Sequence, residues 1–449
     1  MTDMLTSSGP ELMPVASGAG LPSEVDVAIV GGGVIGVSAA LYLAGRGVTV
    51  ALFEKGLVAA EQSSRNWGWV RLAGRDLREL PLMLRAHELW GALPALGTGD
   101  TGYRRCGIVY AARTPAIRER HERWAEAAAR LGIAAHVVGS AALAAMAPGL
   151  RGDFAGALVV PADGRAEPQC AVPMMAEAAV ARGARIFQRC AVRAVDTAGG
   201  RVCGVVTERG RVRASTVIVA GGAWSRVLLA GVGVTLPQLK VLSSVFRTAP
   251  LDAGIESCMS FSSFAIRKRL DGGFTVASSA ESLAEITPDS LRFFRRFLPA
   301  YLAERKGMTL RLGRAFVDEA LDWRPRAADR PSIFEAVRIL DPKPHEATLA
   351  RVRRALAEAL PVFREASVVQ SWAGMIDTMP DVIPVISPVE SLPGLVVGTG
   401  FSGHGFGIGP AAGEMLADLA MGDRPASDAR PFRLARFTDG ERLTLQHWL

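Results

Sequence analysis

The stretch from Asp26 to Glu54 constrains this chain most. Val27 to Val30 is a short apolar, largely β-branched run of the kind that forms a buried strand. Gly31, Gly33 and Gly36 follow as G-x-G-x-x-G at the turn into a helix that carries Val34 and Ile35 in its first turn. Gly31 permits the tight turn, Gly33 lets a pyrophosphate approach the backbone, and Gly36 lets helix and strand pack closely. The helix start offers free N–H groups and a positive dipole end to phosphates. Val48 to Phe53 forms a second strand, and Glu54 closes it 18 residues beyond Gly36 (54 − 36), where an acid can bind ribose hydroxyls. Strand, turn, helix, strand and acid in this order predict a dinucleotide site. The fingerprint alone does not separate FAD from NAD, and the bland alternative is a βαβ unit whose glycines serve packing only.

A chain of 449 residues suggests two domains, and 49% hydrophobic against 21% charged residues is a globular balance with ample core. The net charge of +7 and pI near 9.5 come from scattered arginines with no nucleic-acid motif, so a nucleic-acid partner is not expected. A basic protein of this kind suits anionic substrates such as carboxylates. Cys106, Cys170, Cys190, Cys203 and Cys258 form no C-x-x-C, which signals neither zinc nor a redox dithiol; no metal site is expected, and the odd count fits a reducing compartment. Residues 1–23 read as a disordered tail without a signal peptide, and no apolar run reaches transmembrane length, so a cytoplasmic location is expected.

Beyond Glu54, the loop Ser63-Ser64-Arg65-Asn66-Trp67-Gly68-Trp69-Val70-Arg71 mixes polar donors, two tryptophans and two arginines, which suits a flat ring and an anion. Leu77 to Leu93 reads as a helix with Pro81 in its first turn and His87 as a packing residue. Pro115 to Leu131, Pro168 to Arg182 and His345 to Leu360 read as further helices. Ala184 to Val195, Val202 to Glu208, Val212 to Ala220 and Gln238 to Thr248 read as strands. Leu291 to Leu298 interleaves Phe and Arg, the pattern of an amphipathic helix expected to face the core rather than to touch an anionic membrane. Trp323-Arg324-Pro325-Arg326 is expected to follow a strand. Gly221-Gly222-Ala223-Trp224 ends a strand with a glycine pair that admits a ligand. Near the C-terminus, Gly398 to Pro410 is a second glycine-rich strand-to-helix turn, containing Gly400, Gly403, His404, Gly405, Phe406 and Gly407; its helix N-terminus would stabilise negative charge on a reduced ring.

Taken together, the N-terminal fingerprint, Val217 to Ser225, and Trp372 to Leu419 resemble the D-amino-acid oxidase and sarcosine oxidase superfamily of flavoproteins, glycine oxidase-like proteins included. Phe401-Ser402-Gly403-His404-Gly405-Phe406 is very like the C-terminal motif of monomeric sarcosine oxidase. The resemblance implies FAD rather than NAD. It implies an α/β fold in which a Rossmann-like FAD-binding domain of glutathione-reductase type (24–95, 150–235 and 360–449) joins a mixed antiparallel-sheet substrate domain (96–149 and 236–359).

The implied FAD contacts are Gly31, Gly33, Val34, Ile35, Gly36, Glu54, Lys55, Ser63, Ser64, Arg65, Asn66 and Trp67, with Val192 at the adenine end, then Gly221, Gly222 and Trp224, and Gly400 with Gly403 to Gly407. Arg71 occupies the place of an arginine that grips the substrate carboxylate, with Arg65 in reserve; a guanidinium fork matches a carboxylate. His404 is the tempting general base, but its glycine-flanked position suggests a structural or flavin-edge role. The sequence departs from the pattern in three places. No cysteine lies beyond Cys258, where Gly374 stands near the covalent attachment point, and no histidine lies between Glu54 and Arg71, so the FAD is expected to be non-covalent. Gly407 replaces the family's lysine after the C-terminal motif, and Phe274 to Ser279 holds no oxygen-activating lysine. The implied activity is oxidation of an amine or amino acid, D- or N-substituted, to the imine. A dehydrogenase is favoured over an oxygen-using oxidase or the flavin subunit of a heteromeric opine-oxidase-like complex, and the expected partners are a small amine or amino-acid substrate and an electron acceptor or partner subunit.

Overall fold

The computed structural model describes residues 8–322 and 328–446; Trp323 to Arg326 lie outside the described residues. The strand Glu24–Val30 sits inside an eight-stranded sheet, paired in parallel with Val50–Phe53 on one side and Gly210–Val219 on the other. Arg185–Phe187 extends the sheet in parallel beyond Val50–Phe53, and Leu395–Thr399 pairs in parallel with Gly210–Val219. These strands read as continuous apolar runs because both faces are covered.

The first helix, Val34–Gly45, lies between Pro168–Ala181 and the C-terminal helix Gly405–Met421. The C-terminal helix is rich in Gly and Ala because it lies almost against the first. A Cβ added at Gly413 would stand 2.2 Å from the Ser38 Cβ, and one at Gly409 would stand 2.6 Å from Val34.

A ten-stranded sheet forms the second layer system. Its centre is Leu239–Thr248, paired antiparallel with Val368–Thr378 along its length and with Phe274–Ala277 and Ser282–Ile286 on its other edge. Ala265–Lys268, Cys258–Ser260, Ile108–Ala112, Gly156–Val160 and His136–Val138 continue the sheet. Gly156–Val160 and Val368–Thr378 come from segments expected in the nucleotide half, yet both hydrogen-bond into this sheet. Burial alternation does not separate the two sheets in sequence, since both are largely covered.

Three local expectations differ from the structure. Ala184 to Val195 is not one strand: Arg189, at φ +50°, turns the chain between Arg185–Phe187 and Val192–Ala198, which pair with different neighbours. Residues 8–23, expected as a disordered tail, have no regular structure but are laid along the fold as a strap. Ser8 hydrogen-bonds the Asp341 carboxylate (2.7 and 2.8 Å), Gln370 Nε2 donates to Gly9 O (2.9 Å), Gly18 N donates to Ile186 O (2.8 Å), and Gln188 Nε2 donates to Val15 O (2.8 Å). Side chains elsewhere in the chain satisfy this backbone, a term that composition does not contain. Finally, the Phe/Arg helix is Phe294–Glu304, and it buries none of its residues. Instead of facing a packed core, Phe294, Phe297 and Leu298 line a cavity of about 1110 Å³ beside Leu239–Val241. No helix among the described residues is long and apolar enough to cross a membrane.

Candidate active site

The glycine fingerprint builds the floor of a groove at the C-terminal edge of the parallel strands. Gly31 takes φ +108°, and a Cβ there would stand 2.4 Å from Ala220 O, so only glycine fits the turn. At Gly36 a Cβ would stand 2.1 Å from Gly31 O, which is the close helix–strand packing the spacing implies. Ser63 Oγ accepts the free Val34 N–H at 2.8 Å, so the loop after the second strand supplies the helix with its cap.

Glu54 closes the second strand as expected. One carboxylate oxygen accepts Gly32 N and the other Gly56 N, both at 2.7 Å, and burial pushes its pKa up. Each oxygen keeps a lone pair for a ribose hydroxyl. Lys55 Nζ pairs with Glu61 at 2.5 Å and lies 4.5 Å over the Trp224 ring, whose Nε1 donates to the same carboxylate.

The groove brings together Gly31, Gly33, Val34, Ile35, Glu54, Lys55, Ser63, Asn66, Val192, Gly221, Gly222, Trp224, Gly403, Gly405 and Phe406. Gly36, Ser64, Arg71, Gly400, His404 and Gly407 do not line it. Trp67 does not line it either, and stands edge-on to Trp69 at 5.4 Å. Arg65 also departs from its expected place. Its guanidinium is fully buried, paired with Asp341 at 2.6 Å and donating to Ala373 O at 2.8 Å and Ala60 O at 3.0 Å. It ties the loop to the second sheet and to the strap at Gly9, which removes it as the reserve carboxylate binder.

Sequence reasoning passed over Glu61, Gln62, Ser225, Asp377 and Thr399, all of which line the groove. Asp377 is buried, accepts Gly400 N at 2.7 Å, and burial lifts its pKa to about 6. A carboxyl inside the stretch between two recognisable motifs was its only signal. Gln62 Oε1 and Ser225 Oγ are buried and make no hydrogen bond among the described residues. Ser225 Oγ faces the Gly221 backbone of the cradle, an orphaned polar atom that a bound nucleotide cofactor would satisfy, so the residues present fit FAD.

The C-terminal helix starts at the same groove, with His404 at its N-cap. Gly407, where the family carries lysine, packs on the strand Trp69–Val70: a Cβ there would stand 2.9 Å from Trp69 O and 3.5 Å from Arg71 N. Trp90 Nε1 donates to Gly407 O at 2.7 Å. The same contact puts Arg71 beside the helix start.

Behind Arg71 lies a buried charged bracket. Arg75 donates to Arg71 O (2.8 Å), His404 O (2.9 Å) and Glu79 (3.1 Å). Asp163, fully buried, accepts Leu72 N at 2.6 Å and Ala73 N at 3.0 Å. His404 Nδ1 stands 3.7 Å from Glu79 and makes no hydrogen bond. Burial, helped by the charges of Arg71 and Arg75, holds the imidazole pKa down at about 4. Tyr110 faces the same cluster, its hydroxyl pKa raised by burial and opposed by Arg71. His87 is buried, with Nδ1 3.3 Å from the Tyr103 hydroxyl and Nε2 3.4 Å from the buried Asp163 carboxylate.

At Gly374 a Cβ would stand 2.1 Å from Gln62 Oε1, the tip of a side chain that would have to swing aside for a larger residue there.

The profile of the FAD dependent oxidoreductase family matches residues 26–419. Sarcosine oxidase subunit beta of Arthrobacter sp is 27% identical over 92% of this chain and 91% of its own length. 4-Methylaminobutanoate oxidase (formaldehyde-forming) of Paenarthrobacter nicotinovorans is 25% identical over 93% of this chain, which spans only 46% of that protein. The solved structure of L-amino acid deaminase from Proteus myxofaciens in complex with anthranilate superposes with a TM-score of 0.92 at 30% identity, over 97% of this chain and 98% of that one. A glycine-built nucleotide groove, a second helix start aimed at it, and a family match across most of the chain agree: this protein belongs to the FAD dependent oxidoreductase family, and its cofactor is FAD.

Proposed function

We propose that the protein oxidises an amine or amino acid bearing a carboxylate to the imine, which water then hydrolyses. The observation that carries this reading is the packing of Gly407 on Trp69–Val70, which sets the backbone of Arg71 beside the helix start at the flavin groove, with the Arg71 charge acting on His404 at that start. The names of the relatives support it, since all three act on amines or amino acids. Bound FAD supplies a two-electron acceptor for hydride from the substrate Cα.

The chain's own groups bind and orient. Arg71 holds the carboxylate as a charged fork, while Trp69 and Tyr110, edge-on at 5.9 Å, wall the site and exclude water. The Arg75–Glu79 bracket and Asp163 keep the Arg71 loop in place. A neutral substrate amine needs no side-chain base. His404, with its pKa near 4, is neutral at physiological pH and stands at the helix start without a proton to carry. We assign the protein as a dehydrogenase rather than an oxidase: the tight fit at Gly407 leaves no space for a lysine, and Phe274 to Ser279 carries none. FAD is held without a covalent bond, in keeping with the absence of a cysteine beyond Cys258 and of a histidine between Glu54 and Arg71.

The test is anaerobic bleaching of the flavin spectrum by panels of D-, L- and N-methylated amino acids, followed by reoxidation with air or with an artificial dye. Bleaching by one class names the substrate, and fast reoxidation by dye with slow reoxidation by air supports the dehydrogenase. Arg71→Ala should raise KM for the carboxylate substrate about tenfold to a hundredfold, as loss of a charged hydrogen bond of roughly 1.5–3 kcal/mol requires, with FAD content unchanged. Unchanged kinetics would remove Arg71 from the site. A second reading, the flavin subunit of a heteromeric enzyme, is favoured by the 91% coverage of sarcosine oxidase subunit beta; weak turnover that rises with an added partner subunit would identify it.

A further inference from the structure

Cys106 and Cys258 are 152 residues apart in sequence, and their Sγ atoms lie 4.0 Å apart in the fold. Two neighbouring elements hold them there. Cys258 opens the strand Cys258–Ser260, paired in parallel with Ile108–Tyr110, and its N–H donates to Gly107 O at 3.2 Å. Ser257 Oγ donates to Cys106 O at 2.8 Å, closing the other side. A backbone bond on one side of the thiols and a serine side-chain bond on the other already join the two segments, and the cysteine side chains are unjoined.

We propose that Cys106 and Cys258 form a peroxide-responsive dithiol, oxidised to a disulfide that clamps the Cys106–Gly107 turn onto the strand Cys258–Ser260 beside the Trp69–Tyr110 wall.

The two sulfurs have different surroundings, which divides the roles. Cys106 is partly exposed and Cys258 is buried. The two sulfurs share a hydrogen bond, and the charges of Arg165 and Arg267 act on Cys106, so its thiol pKa falls although burial opposes it. Burial pushes the Cys258 thiol well up, as does its neighbour Cys106. Cys106 is thus the thiolate that meets an oxidant, and Cys258 is the resolving thiol held against it. Arg165, whose residue pairs across strands with Trp69, and Arg267 each keep a buried Nε with no hydrogen bond among the described residues. These are two N–H groups of cationic side chains in the neighbourhood of the developing negative charge. Neither cysteine belongs to the groove that binds FAD.

The chemistry needs one co-reactant, a hydroperoxide. The Cys106 thiolate attacks one peroxide oxygen. The O–O bond breaks, an S–O bond forms, and the other oxygen leaves as hydroxide, which takes up a proton to give water. The Cys258 sulfur, giving up its proton, then attacks the Cys106 sulfenic sulfur, and the S–O bond breaks to release a second water. Two thiols and one hydrogen peroxide become one disulfide and two waters, with the two electrons passing from sulfur to the peroxide. Closing the pair requires the sulfurs to approach from 4.0 Å to a bond of about 2.05 Å, a movement of the two side chains.

The test treats the FAD-loaded protein with hydrogen peroxide, blocks remaining thiols with an alkylating reagent, and reads the products by peptide mass spectrometry. The expected result is a Cys106–Cys258 cross-linked peptide, two fewer alkylated thiols than in the untreated protein, and full reversal by dithiothreitol. Cys258→Ser should stop the reaction at a Cys106 sulfenic acid trapped by a dimedone probe, and Cys106→Ser should leave Cys258 fully alkylatable after denaturation. The flavin spectrum of each variant confirms that it is folded. If either variant fails to bind FAD, Cys106→Ala and Cys258→Ala replace it with the same readouts. The proposal is overturned if wild-type Cys106 stays alkylatable while Cys170 or Cys203 oxidise, or if Cys106 proceeds to the sulfinic acid without forming the cross-link.

Discussion

His404 shows how far a single side chain can be displaced from its ordinary chemistry by its neighbours. It lies at the helix start, yet burial and the charges of Arg71 and Arg75 hold its pKa near 4, below the usual 6.5. Between those two values the unfolded chain carries the proton and the folded one does not, so stability rises with pH through this window and is lost as pH falls from about 6.5 toward 4. Urea denaturation at pH 4.5 and pH 7.0 should therefore show His404→Gln losing less stability on acidification than the wild type, by about 2 kcal/mol. An identical pH dependence in both proteins would contradict the burial argument. Asp377 titrates with the opposite sign, since its pKa is raised to about 6, and comparison with the single variant cancels it. Residue by residue, Gly31 and Gly36 were legible because their requirement is steric and local. Arg65 was not, because Asp341 and Ala373, which hold it, are remote in sequence.

At the scale of elements, the helix Pro168–Ala181 and the strand Ala265–Lys268 are joined by one buried ion pair. Glu167, at the helix N-cap, and Arg267 meet at 2.7 and 3.2 Å with 5% and 1% of their side chains exposed. Burial opposes ionisation of Glu167, but Arg267, with Arg269, holds its pKa down to about 2. Removing one partner leaves a buried charge, so Glu167→Gln should destabilise the protein by roughly 3–5 kcal/mol, while Glu167→Leu with Arg267→Met should recover most of it. Denaturant midpoints measure both, and a mild single variant would show that water reaches Arg267. Helices such as Pro115–Ala129, with its Thr114 cap, and Glu346–Ala359, with Leu349, Val352 and Leu356 buried, follow from periodicity. Ala184 to Val195 misled because an apolar stretch does not report that Arg189 turns it.

Across the whole molecule, residues 8–23 bind the two sheets from outside, touching Asp341 and Gln370 on one side and Ile186 and Gln188 on the other. A variant lacking residues 1–17 should melt at least roughly 2 °C lower, because loss of about 1 kcal/mol shifts Tm by that order in larger domains; scanning fluorimetry of the FAD-bound protein measures it. An unchanged melting temperature would mean the strap rests on the surface without supporting it.

The nucleotide cradle was determined by sequence alone. Its glycines answer to backbone clashes within a few residues, and the strand, turn, helix and acid fall in one short stretch whose order carries the chemistry. The same holds for the glycine-rich start of the C-terminal helix. Only the tertiary structure decided that Arg65 is sealed away while Arg71 stands beside that helix start, that Gly156–Val160 and Val368–Thr378 join the second sheet, and that Cys106 meets Cys258 across 152 residues. Those outcomes depend on hydrogen-bond partners and packing between distant segments. A local pattern contains no term for them, because the free energy of each contact exists only once both segments are in place.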